Sequence, residues 1–221
     1  MYTGGKDSTY ALYLASKTNR IKCLINAISE NQDSYMFHTV ASNIVVLQSF
    51  ALDLPLERFK TKGRKEEELE DLKAALENVK ERYHLNGIVT GAIASEYQSS
   101  RIQKVARELN LEVINPLWHL DPYTYLKSLI SSGFKPMIVS VSADGLTQDL
   151  LGKIIDQELL EKLKNLSEKY RFNLAFEGGE AETCVVDGPI FRRRIVIDSS
   201  EVVKDGRKFF LNIKDAHLEE K

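Results

Sequence analysis

Apolar residues along this chain fall into two textures. Up to about residue 118, short hydrophobic runs alternate with longer stretches of helical period. Cys23-Leu24-Ile25-Asn26-Ala27-Ile28 reads as a buried strand, and His38 to Leu52 carries helical spacing that stops before Leu54-Pro55. Leu56 to Lys60 fits a short strand. Gly63 to Tyr83 is a charged amphipathic helix with Leu69, Leu72, Leu76 and Val79 on one face. Gly87 to Ile93 reads as another buried strand, Tyr97 to Leu109 as a helix, and Glu112-Val113-Ile114-Asn115 leads to Pro116. Strands separated by helices of this length predict βαβ units, a parallel sheet and right-handed crossovers. Ligands of such sheets bind at the carboxyl ends of the strands. Thr3–Ser8, Ser29–Asp33 and Gly91–Ser95 are all expected on that edge.

Beyond Trp118 the texture changes. Asp121 to Ser132 is helical and ends at Gly133, Pro136 to Val141 is a strand, and Leu159 to Tyr170 is a helix with apolar Leu160, Leu163 and Leu166. From Asn173 onward the chain is strand-rich. Val202 to Phe210 reads as a hairpin around Asp205-Gly206. The expected organisation is a parallel sheet flanked by helices over residues 1–125 and a smaller α+β C-terminal domain over 126–221, with a soft boundary near 120–135. There is no internal repeat.

Composition narrows the class. The 221 residues are 43% hydrophobic and 28% charged, as in ordinary soluble domains. No apolar run approaches the roughly 18 residues of a membrane span, and no basic, apolar leader is present. Cys23 and Cys184 cannot make a disulfide framework, which fits a reducing cytoplasm. Lys plus Arg number 30 against 32 for Asp plus Glu, a balance that argues against a protein devoted to nucleic acid. Arg192-Arg193-Arg194 is the sharpest basic patch and reads as a solvated strand edge.

Three motifs carry chemistry. Thr3-Gly4-Gly5-Lys6-Asp7-Ser8 runs into an amphipathic helix. Two adjacent glycines let several N–H groups converge on one anion, and the helix adds its positive end. Ser8 and Thr9 offer hydroxyls, Lys6 a charge and Asp7 a contact for a metal ion. The pattern is neither a Walker A loop nor GxGxxG. A plain capped turn would share the Gly-Gly pair. Glu177-Gly178-Gly179-Glu180-Ala181-Glu182-Thr183 places three carboxylates within six residues, costly unless a cation, ligand or solvent relieves them. An acidic surface turn is the bland alternative, but the apolar flanks Leu174-Ala175-Phe176 and Cys184-Val185-Val186 oppose it. Gly91-Ala92-Ile93-Ala94-Ser95-Glu96-Tyr97-Gln98-Ser99-Ser100-Arg101 opens a helix at the ligand edge, where Arg101 can reach a phosphate or a carboxylate.

The first motif is similar to the SGGxDS pyrophosphate loop of the PP-loop ATP pyrophosphatases, with Thr3 for Ser. Together the three resemble the diphthine–ammonia ligase family of that superfamily. Its pattern runs from SGGKDS through a GAI-S-YQ-R segment, Pro-Leu-Trp and EGGE-ET to an Asp-x-Pro-Leu/Ile-Phe element. Here these are Thr3–Ser8, Gly91–Arg101, Pro116-Leu117-Trp118, Glu177–Thr183 and Asp187-Gly188-Pro189-Ile190-Phe191. The order holds over nearly the whole chain. Departures are Thr3, Ala181 where an aromatic is common, and a first strand reduced to Met1 and Tyr2. The loop is therefore expected to lack part of its anchor.

The resemblance implies a Rossmann-like HUP fold and the last step of diphthamide synthesis. A carboxylate of diphthine on translation elongation factor 2 becomes an amide, ammonium is consumed, and ATP leaves as AMP and pyrophosphate through an acyl-adenylate. It assigns Thr3, Gly4, Gly5, Lys6, Asp7, Ser8, Ser29, Gly91, Ser95 and Arg101 to ATP, and Mg²⁺ to Asp7. Lys6, Asp7, Glu177, Glu180 and Glu182 become the catalytic set, the glutamates receiving the trimethylammonium group or ammonium. Tyr97, Gln98, Gly178, Gly179 and Thr183 fall to substrate binding. Glu30, Tyr35 and His38 follow the second strand, where adenosine would sit; His38 ranks low. Trp118 and Cys184 read as packing residues, and Lys65 to Glu68 as a solvated helix start. A tRNA-modifying PP-loop enzyme lacks here the paired cysteines or basic module such enzymes use. A non-catalytic ATP sensor would leave the acidic motif without a role. The oligomeric state, a homodimer included, stays open.

Overall fold

A computed structural model of the chain describes residues 1–29, 44–61 and 67–221. Helix α1 (Lys6–Ser16) leads to strand β1 (Leu24–Ser29), followed by α2 (Ile44–Leu52), β2 (Leu56–Thr61), α3 (Glu67–Tyr83), β3 (Gly87–Val89), α4 (Glu96–Glu108) and β4 (Glu112–Ile114). The expected start of the second helix at His38, that of the third at Gly63, and Glu30, Tyr35 and Lys65-Glu66 lie outside the described residues. β1 pairs parallel with β2, and β3 parallel with β4. Met1 and Tyr2 run between the two pairs: the Met1 amine donates to Val89 O at 2.7 Å and Tyr2 N to Ile25 O at 2.8 Å. The spatial order is thus β2, β1, the Met1–Tyr2 stub, β3, β4, with the stub in the place of a central first strand.

The second half is built differently. Asp121 caps α5 (Pro122–Ser131) by accepting from Thr124 N, and Pro122 begins the helix. β5 (Lys135–Val141) follows. Asp156 caps α6 (Gln157–Tyr170), which ends at Arg171 in the left-handed region. β6 (Ala181–Asp187), β7 (Arg193–Asp205) and β8 (Lys208–Glu220) complete a four-stranded antiparallel sheet in the order β6-β5-β8-β7. The molecule is α/β, with parallel strands flanked by helices in front and an antiparallel sheet behind.

Two expectations shift. β3 stops at Val89 rather than Ile93, because Gly91 must pass against α1: a Cβ there would lie 2.8 Å from Asp7 C and Ser8 N. In the β7–β8 hairpin Asp205 pairs with Lys208, so Gly206 and Arg207 form the turn, one residue later than the Asp-Gly reading. Gly206 has φ of 56° and Arg207 does not enter that region, the pattern of a type II′ turn.

Two apolar clusters flank the parallel strands. Ile25, Leu72, Leu76, Ile88, Val105 and Leu109 form one, under α3 and α4. The other runs from Leu12, Leu24 and Val45 through Leu126, Phe134 and Val139 to Leu163 and Val185, across both halves. Alternation along β1, Leu24 to one cluster and Ile25 to the other, is what a strand covered on both faces requires. Among the described residues no helix is long and apolar enough to cross a membrane.

Candidate active site

Three chain segments meet at the N-terminal end of α1. Gly4, with φ of 79°, turns the chain into the helix, and Gly5 stands at its N-cap without a side chain to occupy the first-turn amides. Thr3 and Ser8 close the loop on themselves: Thr3 N donates to Ser8 Oγ at 3.2 Å, and Ser8 Oγ donates to Gly5 O at 3.2 Å. Thr9, expected among the loop's hydroxyls, instead donates to the Tyr2 hydroxyl in the core. Helical rotation carries position 9 off the loop face.

The loop is anchored by partners distant in sequence. Val185 N on β6 donates to Gly4 O at 2.9 Å. Gln48, fully buried on α2, donates through Nε2 to Gly4 O and to Val185 O, each at 2.8 Å. Lys6 N donates to Thr183 Oγ1 at 3.1 Å. The loop is therefore fastened to the C-terminal sheet.

Lys6 is only 2% exposed. Its Nζ reaches both Asp7 carboxylate oxygens at 2.8 Å and Ala175 O at 2.6 Å, just before the acidic motif. The Tyr125 hydroxyl of α5, also 2% exposed, donates to Asp7 Oδ1 at 2.6 Å. Burial, and then the Asp7 charge, hold that phenol well above its ordinary pKa, so it stays protonated and keeps donating. Sequence reasoning missed both Gln48 and Tyr125. Gln48 had a signal, a lone amide among apolar neighbours in Ile44-Val45-Val46-Leu47-Gln48-Ser49-Phe50. Tyr125 had none.

The three carboxylates of Glu177–Thr183 part company. Glu177 Oε1 accepts from Ile93 N at 2.8 Å and Ala94 N at 3.0 Å, tying the acidic motif to the Gly91 segment. Oε2 of Glu177 has no protein partner among the described residues. Glu180 turns back on its own loop, Oε1 accepting from Asn173 N at 2.9 Å and Oε2 from Gly178 N at 2.8 Å. Glu182 pairs with Lys208 Nζ at 2.9 Å, and strand alternation puts it on the opposite face of β6 from Thr183. Gly179, with φ of 81°, turns the chain between Glu177 and Glu180, and Ser142 Oγ donates to Gly179 O at 2.7 Å.

The remaining candidates are spread out. Ser95 precedes α4. Tyr97 packs beside the cluster under α3 and α4, and the Arg101 guanidinium lies 3.8 Å over its ring. The side chains of Ser29 and Gln98 lie outside the description. Trp118 is not the core residue expected: Leu117 is fully buried, while Trp118 is half-buried, beside His119 and Asn115. Cys184 is buried, and burial pushes its thiol up to about 12, which fits packing rather than nucleophilic chemistry. Arg192 and Arg194 are spent on ion pairs with Asp53 and Glu219.

Residues 1–113 match the family model for the diphthamide synthase N-terminal domain, and 121–218 that for the diphthamide synthase C-terminal domain. The chain belongs to the diphthamide synthase family. Among curated relatives it is 37% identical to the human diphthine–ammonia ligase, over all of this chain and 92% of the human one. The zebrafish (Danio rerio) diphthine–ammonia ligase is also 37% identical, over all of this chain and 96% of its own. The Schizosaccharomyces pombe diphthine–ammonia ligase is 33% identical over 97% of this chain, which spans 38% of that longer protein. Within a diphthamide synthase, then, the Thr3–Ser8 loop and the acidic motif are hydrogen-bonded to one another.

Proposed function

We propose that the chain amidates diphthine on translation elongation factor 2, taking nitrogen from ammonium and cleaving ATP to AMP and pyrophosphate. The observation that carries this is the junction of phosphate loop and acidic motif, through Lys6 N to Thr183 Oγ1 and Lys6 Nζ to Ala175 O, in a member of this family.

A carboxylate does not react with ammonia until one oxygen becomes a leaving group. Attack of that oxygen on the α-phosphorus of ATP expels pyrophosphate and gives an acyl-adenylate. The lone pair of ammonia then attacks the carbonyl carbon, and AMP departs with the bonding electrons. Because Lys6 is neutralised by Asp7, attraction for the leaving pyrophosphate rests on the Gly4-Gly5 backbone and the N-terminal end of α1. Ammonium must lose a proton before it attacks. Glu177 suits that role, because amides fix Oε1 and leave Oε2 as acceptor. Glu180 shapes the loop, and Glu182 stays with Lys208.

No group of three His, Cys, Asp or Glu side chains gathers to hold a metal among the described residues. Mg²⁺ fits here as the counter-ion of the nucleotide, with Asp7 as a single protein carboxylate, and it would spread charge developing on the phosphates. ATP falls to residues 1–125, with Ser29, Gly91, Ser95 and Arg101 around it. Diphthine falls to 126–221 with Gly178, Gly179 and Thr183, joined by Tyr97 and Gln98. A substrate of the translation machinery places the reaction in the cytoplasm.

The test is release of AMP with ammonium and a diphthine-bearing elongation factor. AMP formed only when both are present is expected; ATP binding without AMP would overturn the reading. Glu177→Gln keeps an oxygen for the two amides but loses Oε2. Its KM for ammonium should rise at least about 10-fold, with the KM for ATP unchanged; an unchanged ammonium KM would remove Glu177 as the acceptor.

A further inference from the structure

The two oxygens of the Asp7 carboxylate are held unequally. Oδ1 accepts from Lys6 Nζ at 2.8 Å and from the Tyr125 hydroxyl at 2.6 Å, whereas Oδ2 accepts from Lys6 Nζ alone, at 2.8 Å. A carboxylate oxygen has two lone-pair positions. Among the described residues both are taken on Oδ1, and one stays open on Oδ2. The two donors are buried, Lys6 and Tyr125 each 2% exposed, while the Asp7 side chain is 34% exposed. The donors therefore hold the carboxylate from its inner side, and the side open to ligands carries the free position on Oδ2.

Lys6 cannot create this inequality. Its ammonium lies at the same distance from both oxygens and treats them alike; only Tyr125 tells them apart. The other half of the chain fixes where that hydroxyl points. Helix α5 buries Leu126 and Leu129 along with Tyr125. The Tyr125 ring packs on Tyr10 of α1 with centroids 5.8 Å apart, and Tyr10 meets Phe134 edge-on at 5.8 Å. Close packing around a buried ring holds its rotamer, so the hydroxyl is a fixed donor.

We propose that Tyr125 is a positioning residue for the phosphate loop: its hydroxyl takes up Oδ1 of Asp7, so that Oδ2 alone is offered to the Mg²⁺ that accompanies ATP. The inference rests on the ATP-cleaving reading above and adds to it a residue from the second half of the chain. Tyr125 acts through Asp7. Without its hydroxyl a second lone pair opens on Oδ1, and the contact offered to Mg²⁺ is no longer single or fixed. Partners that orient a metal-contacting group typically contribute about 10- to 100-fold to metal affinity.

Tyr125→Phe keeps the ring and its packing and removes one oxygen. Calorimetric titration of the whole chain with ATP, once in EDTA and once in excess Mg²⁺, reads the metal's contribution without turnover. In EDTA the variant should bind ATP within about 2-fold of wild type, and the gain in affinity on adding Mg²⁺ should be at least about 5-fold smaller. In an Asp7→Asn background, where no carboxylate is left to orient, Tyr125→Phe should leave that gain unchanged. An equal gain in wild type and variant would overturn the proposal. So would a further loss in the Asp7→Asn background, or a loss of ATP binding equal in EDTA and Mg²⁺, since either places the effect in packing. These outcomes remove Tyr125 and leave the ligase reading standing; wild-type protein that binds no ATP removes both.

Discussion

The Thr3–Ser8 loop and the Glu177–Thr183 loop both turn on a left-handed glycine, yet they are held in opposite ways. The first is fastened from outside, by Gln48, Val185 and Thr183. The second is braced largely from within, since Glu180 spends both carboxylate oxygens on backbone amides of its own turn. The contrast follows from their surroundings. The first loop lies between the parallel strands and the C-terminal sheet and meets partners from both, whereas an acidic turn before an antiparallel strand can use its charges as internal acceptors. Three neighbouring carboxylates thus escape mutual repulsion without a shared cation: backbone amides meet two of them and Lys208 the third.

The contrast can be broken at several points. Gly91→Ala should do most damage, because its Cβ meets backbone atoms of Asp7 and Ser8 that cannot give way. AMP release should fall by about 100-fold or more, since catalysis tolerates little displacement of a phosphate loop. Glu180→Gln comes next. The amide has one oxygen for two N–H donors, and an unpaired donor costs about 1–3 kcal/mol. Amide formation should drop roughly 10- to 100-fold while ATP still binds; near-wild-type turnover would show that the turn does not depend on its internal brace. Gln48→Ala tests the outside fastening. It leaves Val185 O without its Gln48 bond and should lower Tm by about 3–8 °C, raising the KM for ATP more than it lowers kcat.

The smallest effect concerns the stub. Burial lowers the Met1 amine from an ordinary value of 8.0 to about 6. Between these values the unfolded chain holds a proton that the folded chain has released, so stability rises with pH across that window. Below pH 6 the folded protein carries the full cost of a desolvated charge; above pH 8 neither state is charged. The gain from pH 6 to pH 8 should be about 2 kcal/mol. Acetylation of Met1 should abolish it, as thermal unfolding at the two pH values would show.

Much of the framework was legible because it rests on local rules. The apolar spacing of α3, α4 and α6 states each helix without help from the rest of the chain. The candidate site was legible as a list of motifs and much less as a set of partnerships. Lys6 looked like a phosphate ligand by residue type, and its burial against Asp7 and Ala175 depends on a turn nearly 170 positions away. Trp118 and Leu117 are both apolar and adjacent, and only packing decides which one faces inward. Tyr125 is an ordinary helix residue until the fold sets its hydroxyl against Asp7.

The apolar cluster that passes from Leu12 and Val45 to Phe134 and Val185 ignores the line between the two family-model segments. Melting of either half strips the other of its partner surface. The whole chain should therefore unfold in a single calorimetric transition, and limited proteolysis should release no stable fragment ending near residue 120. The Thr3–Ser8 loop and the acidic turn are lost or regained together, and half an enzyme is not a state this architecture can populate.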